Sequence, residues 1–303
     1  MHGWATNWSR SWLAAGVWLI CFALLLGACG EGQPSPELPL PAAPSAVTVP
    51  PPVSGAAPIP DYPPTPAPDP TVRGPTDTGW IAAAAGIEYR AITTSLNGVL
   101  VPLNLMRFDP AQVLFQVGYA PHAPRWLADW CGQPGVLAAI NGGFFDQAYQ
   151  STALVIQQGV ASGSSYEGQG GMFALDVGGV LSLRHLADQP YAPEEPLLEA
   201  MQGWPMLIKG GSVAYTSSTD QERARRSALA MDTAGRVLFI VAPTSSFTLP
   251  ELAMWLHISD LELDAAVNLD GGSSTGFCIR TDGVTTKADA YVPLPLMLLV
   301  TAR

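Results

Sequence analysis

Two stretches combine residue types that could do chemistry. One is Ala138-Ala139-Ile140-Asn141-Gly142-Gly143-Phe144-Phe145-Asp146; the other is Ala266-Val267-Asn268-Leu269-Asp270-Gly271-Gly272-Ser273-Ser274-Thr275. In each, an apolar run ends around a glycine pair, with an amide and a carboxylate close by. Paired glycines permit positive φ and let a ligand approach the backbone closely. Successive exposed N–H groups there can cradle an anion. One Gly-Gly pair alone is an ordinary turn signal. Its recurrence, each time at the end of an apolar run, points to a site.

A third stretch adds positive charge. Arg223-Ala224-Arg225-Arg226-Ser227 concentrates arginine in a chain with few basic residues, just before a strand-like run. The guanidinium fork suits phosphate oxygens. Arg223 and one neighbouring arginine read as part of a solvated loop; the arginine entering the strand, Arg226, reads as the phosphate candidate. His122, His185 and His257 lie outside these stretches and read as structural or exposed.

The elements that must position these residues are mostly strands. Glu88 to Leu96 and Val99 to Phe108 flank Asn97-Gly98, a hairpin signal. Val113–Tyr119 and a central Val136–Ile140 follow. Further strands are expected at Ala153–Gln157, Met172–Asp176, Val180–Arg184, Met206–Ile208, Ser227–Asp232, Arg236–Val241, Ala265–Leu269 and Thr275–Ile279. Leu294–Val300 reads as a buried final strand, too short to cross a bilayer. Helices are expected at Pro124–Trp130 and after Thr248, where Thr248 and Glu251 match a capping box. Strands and helices do not alternate regularly. The reading is an α+β, mixed and strand-rich single domain with a few helices, over residues 79–303.

What precedes that domain has a different composition. Trp12 to Leu26 is an uncharged apolar run after Arg10, short for a membrane span and suited to a signal peptide. It ends in Leu26-Gly27-Ala28-Cys29, small residues before a cysteine. Residues 1–28 therefore read as a bacterial lipoprotein signal peptide, with Cys29 as the lipidated residue. This implies an extracytoplasmic protein of the bacterial cell envelope, held to the membrane by a lipid anchor. Residues 29–78 are proline-rich and poor in large apolar residues, so they read as a disordered linker. Roughly 45 such residues at about 3.1 Å each could reach on the order of 140 Å, enough for a spacer through an envelope layer. The chain carries a formal net charge of −11 and no basic stripe, which argues against a nucleic-acid partner. Of four cysteines, Cys131 and Cys278 remain in a compartment that permits disulfides. They read either as a pair or as two small buried hydrophobes.

Four motifs in order then resemble a family. Asn141-Gly142-Gly143-Phe144-Phe145-Asp146, Pro205-Met206-Leu207-Ile208-Lys209-Gly210-Gly211, Arg226-Ser227-Ala228-Leu229-Ala230-Met231-Asp232 and Asn268-Leu269-Asp270-Gly271-Gly272-Ser273-Ser274 resemble the phosphodiester glycosidase domains, over roughly Ile87 to Thr301. The resemblance implies hydrolysis of a sugar C1–O bond whose leaving group is a phosphate ester. The substrate would be a phosphoglycan or other sugar phosphodiester, and the products free sugar and a phosphomonoester. It implies catalytic roles for Asp270, as nucleophile or base, for Asp146, as partner or metal ligand, and for Arg226, as phosphate holder. Asn141, Gly142, Gly143, Phe145, Lys209, Asn268, Gly271, Gly272, Ser273 and Ser274 would contact substrate or orient the loops. No cofactor is required by this reading, though a divalent cation could join the two carboxylates. Trp204 stands before Pro205 where the family pattern has a small residue, and would narrow the pocket. Two other readings of the same residues are a metal-dependent phosphoesterase cutting P–O and a non-catalytic glycan-binding lipoprotein.

Overall fold

The computed structural model describes residues 76–303 apart from 167 and 169. The signal peptide, Cys29 and nearly all of the proline-rich linker lie outside the described residues. Three antiparallel sheets carry the fold. The first has nine strands: β1 (Thr76–Asp77), β2 (Ile81–Ala84), β3 (Ile87–Leu96), β4 (Val99–Phe108), β12 (Met206–Lys209), β13 (Ser212–Val213), β14 (Ala224–Asp232), β15 (Val237–Phe247) and β16 (Leu263–Asn268), numbered in chain order. Its order is β1-β3-β4-β15-β14-β16-β12-β13, with β2 also pairing β3. The second sheet has β5 (Val113–Tyr119), β6 (Val136–Asn141), β17 (Phe277–Arg280), β18 (Thr285–Ala288) and β19 (Leu296–Ala302), ordered β18-β17-β6-β19-β5. The third has β7 (Val155–Gln157), β8 (Val160–Ser162), β9 (Gly171–Asp176), β10 (Leu181–His185) and β11 (Leu197–Gly203), ordered β10-β9-β11-β7-β8.

The three sheets meet at a phenylalanine cluster. Phe108 and Phe239 come from the nine-stranded sheet, Phe115 from β5 and Phe173 from β9. Their ring centroids lie 5.8 Å apart for Phe108–Phe115, 4.6 Å for Phe108–Phe239 and 5.8 Å for Phe115–Phe173. Alternation explains why β5 can do this: Val113, Phe115 and Val117 are buried while Leu114 and Gln116 are exposed. β4 contributes to two cores. Val101, Leu103 and Leu105 face one cluster, and Met106 and Phe108 face the other.

Among the described residues the α-helices are few: α1 (Leu127–Cys131) and α2 (Leu249–Ile258). α2 packs Leu249, Leu252, Ala253 and Leu256 onto the far face of the nine-stranded sheet. Its start is the capping box read from the sequence: the Glu251 N–H donates to Thr248 Oγ1 and the Thr248 N–H to Glu251 Oε2. Asn97 and Gly98 take φ of 50° and 80°, the left-handed pair that a two-residue hairpin needs. Cys131 and Cys278 form a disulfide that ties α1 to β17.

The strand-rich expectation holds, and helices contribute less than an α+β label suggests. β16 ends at Asn268, so Leu269 lies past the strand though still buried. β15 runs on to Phe247 rather than stopping at Val241. β11 was not anticipated, because Leu-Leu-Glu-Ala-Met-Gln is made of helix formers; pairing with β7 and β9 overrides that preference.

Candidate active site

The first glycine loop leaves the middle of a sheet. β6 lies between β17 and β19, and Ala138, Ala139 and Ile140 are fully buried. At its end Asn141 is 1% exposed and uses its whole amide inside the protein. Nδ2 donates to the carbonyls of Asp270 (2.8 Å) and Gly142 (3.2 Å), while Oδ1 accepts from Ser227 Oγ (2.7 Å) and the Gly276 N–H (3.1 Å). With two donors and two acceptor sites engaged, Asn141 orients the loops and has nothing left for a sugar hydroxyl. Its assignment as a substrate contact gives way to that positioning role.

The second loop leaves β16 and is bonded directly to the first. The Asp270 N–H donates to the Gly142 carbonyl at 3.1 Å. The glycines are needed mainly for close approach. A methyl on Gly142 would stand 2.4 Å from Leu296 Cγ, and one on Gly143 would stand 2.2 Å from the Gln202 carbonyl oxygen. Gly271 packs equally tightly, 2.8 Å from the Arg225 carbonyl by the same measure. Gly272 differs: it takes φ +57° and opens a short 3-10 turn, Gly272–Ser274.

The joined loops place both carboxylates in one cleft of about 430 Å³, lined by Phe145, Asp146, Gln147, Tyr149, Asp270, Gly271, Ser273, Ser274 and Val292. Burial pushes the Asp270 carboxyl above the ordinary aspartate range, against the Ser274 hydroxyl and the Gly271 N–H, which favour the charged form. The Gly271 N–H lies 2.9 Å from Asp270 Oδ1. Asp146 is exposed, and its Oδ1 accepts from the N–H groups of Ala148 (2.8 Å) and Gln150 (2.9 Å). It thus organises its own turn while facing the cleft. Phe145 and Tyr149 stack at 5.7 Å with planes 15° apart, a surface fit for the apolar face of a sugar ring. Tyr149 holds φ +62°, a conformation non-glycine residues seldom take.

The remaining expected residues are placed differently. Arg226 stands behind Gly271, with its Nη1 3.9 Å from where a Gly271 methyl would be. Its Nε donates to the Phe247 carbonyl (3.0 Å) and its Nη2 to that of Glu222 (2.6 Å). Burial draws its pKa below the usual arginine value, opposed by Asp220 and Glu222. Asn268 is 2% exposed and donates to the Trp204 carbonyl at 2.8 Å, so it braces the Trp204–Pro205 segment. Lys209 is not brought to the cleft: it pairs with Asp188 at 2.6 Å and lines a separate groove with His185 and Asp264. Trp204 does not line the cleft either; its ring packs edge-on against Tyr215 at 5.9 Å. Sequence reasoning missed Tyr149, Ser227 and Gln202. Tyr149 carried a signal, an aromatic three residues beyond Asp146, and Ser227 lay inside the Arg226–Asp232 motif; Gln202 carried none. Among the described residues no three His, Cys, Asp or Glu side chains converge as metal ligands.

Comparison with known proteins bears on the family and the fold. The family model for phosphodiester glycosidase matches residues 134–301, which include both glycine loops and begin after β5. The catalytic domain of zebrafish N-acetylglucosamine-1-phosphodiester alpha-N-acetylglucosaminidase, solved auto-inhibited by its pro-peptide, superposes with a TM-score of 0.60 at 16% identity. That alignment covers 76% of this chain and 89% of that one. A hypothetical protein from Synechocystis superposes with a TM-score of 0.52 at 16% identity, over 74% of this chain and 63% of that one. Identities this low speak to the fold alone. No curated protein sequence matches significantly. On the span of the family match and the motifs inside it, the chain belongs to the phosphodiester glycosidase family.

Proposed function

We propose that the protein hydrolyses the glycosidic C1–O bond of a sugar phosphodiester, releasing free sugar and a phosphomonoester. The observation that carries this reading is the hydrogen-bonded union of the two glycine loops, with the half-buried Asp270 lining a cleft that Asp146 also lines. A phosphate ester leaves readily, so the site needs little general-acid help. It must hold negative charge and stabilise an oxocarbenium-like transition state. Asp270 serves as nucleophile or as base on water, Asp146 as its partner, and the stacked Phe145 and Tyr149 as the floor for a sugar ring. Arg226 through Nη1, and those loop N–H groups that have no partner within the protein, meet the phosphate. The substrate is a glycan of the envelope or the extracellular space, met by a lipoprotein anchored through Cys29 and raised on its proline-rich linker.

Hydrolysis in 18O-labelled water tests the bond cleaved. Label in the sugar hydroxyl supports C1–O cleavage; label in the phosphate would replace the reading with a phosphoesterase. Binding of sugar phosphodiesters without turnover would leave a glycan-binding lipoprotein.

A further inference from the structure

Two neighbouring arginines on β14 are buried without a direct ion pair among the described residues. Arg225 is 6% and Arg226 9% exposed; the Arg225 carbonyl and the Arg226 Nη1 lie beside Gly271. Arg225 donates from Nε to the Pro243 carbonyl (3.0 Å) and from Nη2 to the Asp289 carbonyl (2.8 Å). Its Nη1 is buried with no hydrogen-bond partner among the described residues. No ion pair among the described residues involves Arg225 or Arg226. The Asp289 carboxylate, the nearest in sequence to this contact, is held by Lys287 at 2.8 Å. Arg90, at 7% exposure, shows the usual arrangement: it is paired with both Asp77 and Asp260. An uncompensated buried cation is costly. The unfilled Nη1 of Arg225 is the donor that would take an anion.

A tyrosine covers the Arg225 guanidinium. The Tyr291 ring lies 4.1 Å from the Arg225 guanidinium carbon, yet the residue is 68% exposed. Its N–H donates to the Ser273 carbonyl at 2.7 Å, and Ser273 and Val292 both line the cleft.

We propose that Arg225 is a second cation of the phosphate seat, covered by Tyr291 and engaged when the leaving phosphate gains its second charge. This rests on the glycosidase reading. In that reaction the C1–O bond breaks and its electron pair stays on the phosphate oxygen. The water oxygen bonds to C1, and its proton passes to a carboxylate and then to solvent. The phosphodiester enters with one negative charge and leaves as a phosphomonoester carrying nearly two. A guanidinium that meets only the second charge stabilises the transition state and product more than the bound substrate.

The test is calorimetric titration of the full chain at low salt and about pH 8, where a phosphomonoester is a dianion. The probes are methyl phosphate, a dianion, and dimethyl phosphate, a monoanion. The wild type prefers methyl phosphate by about tenfold or more, the worth of a charge-assisted hydrogen bond. Arg225→Met abolishes that preference, Arg225→Lys restores part of it, and Tyr291→Ala tightens methyl phosphate whereas Tyr291→Phe does not. A preference unchanged in Arg225→Met overturns the proposal. Should that variant unfold, Tyr291→Ala on the surface decides, and unchanged affinity there overturns it too. Failure of the glycosidase reading looks different: the binding pattern holds while no sugar phosphodiester is turned over.

Discussion

Asn141 Nδ2 donates to the Asp270 carbonyl at 2.8 Å, so the central strand of one sheet holds the backbone of a carboxylate delivered by another. Replacing Asn141 breaks that link and strands buried partners. Asn141→Ala leaves the Ser227 hydroxyl and the Gly276 N–H without their acceptor. The expected loss is about 1–3 kcal/mol of stability, with turnover falling as well. Thermal unfolding alongside kcat measures both; activity lost with melting unchanged would instead make Asn141 a direct contact.

Asp270→Asn separates chemistry from folding. Asn can still accept the Gly271 N–H, so stability stays within about 1 kcal/mol of wild type. Turnover of a sugar phosphodiester falls by orders of magnitude, since the amide neither attacks nor takes a proton. Intact activity in this variant sinks the mechanism.

The pH dependence follows from the same carboxyl. Its folded pKa is raised by burial, so the folded state binds the proton more tightly than the unfolded chain. Protonation therefore favours folding: this group's contribution to stability grows as pH falls from the folded pKa toward the unfolded one. Activity runs the other way, because the ionised form is needed. The acid limb of kcat/KM has its midpoint above the ordinary aspartate value of about 3.9. A midpoint at or below that value would place the essential ionisation elsewhere.

Much of this was legible from local patterns. The Asn97–Gly98 hairpin, the Thr248–Glu251 box and the strand before each glycine loop follow from turn chemistry and period alone. What stayed hidden depends on distant partners. Asn141 looks like a ligand contact until Ser227 and Gly276 are seen to occupy it. Lys209 sits in a family-like motif, yet Asp188 draws it to another groove. The family-like motif singles out Arg226, but nothing in it tells which face Arg225 takes. A register shift between Ala224 and Arg226 in the β14–β15 pairing removes the simple alternation that would have assigned their faces.

The disulfide makes a separate prediction. Cys131 and Cys278 are 147 residues apart, so their bond closes a long loop of the unfolded chain. Cys131→Ala with Cys278→Ala should cost about 2–5 kcal/mol, read by denaturant unfolding. Equal midpoints for the double variant and wild type would contradict this.

Asp146 poses the sharpest choice between turn and chemistry. Its Oδ1 already accepts the Ala148 and Gln150 N–H groups, work that an asparagine oxygen does equally well. Asp146→Asn should therefore keep the loop, the Phe145–Tyr149 stack and the melting temperature. Asp146→Ala removes the acceptor and should loosen all three. If Asp146 is a chemical partner of Asp270, the Asn variant loses turnover by about a hundredfold or more, the usual worth of a positioned acid or base. If it only builds the turn, Asn is active and Ala is impaired through binding, with KM raised more than kcat is lowered. Measuring kcat and KM for both variants decides which. Should Asp146→Asn abolish turnover while Asp270→Asn retains it, the two carboxylates exchange roles, with Asp146 as the group facing the anomeric carbon.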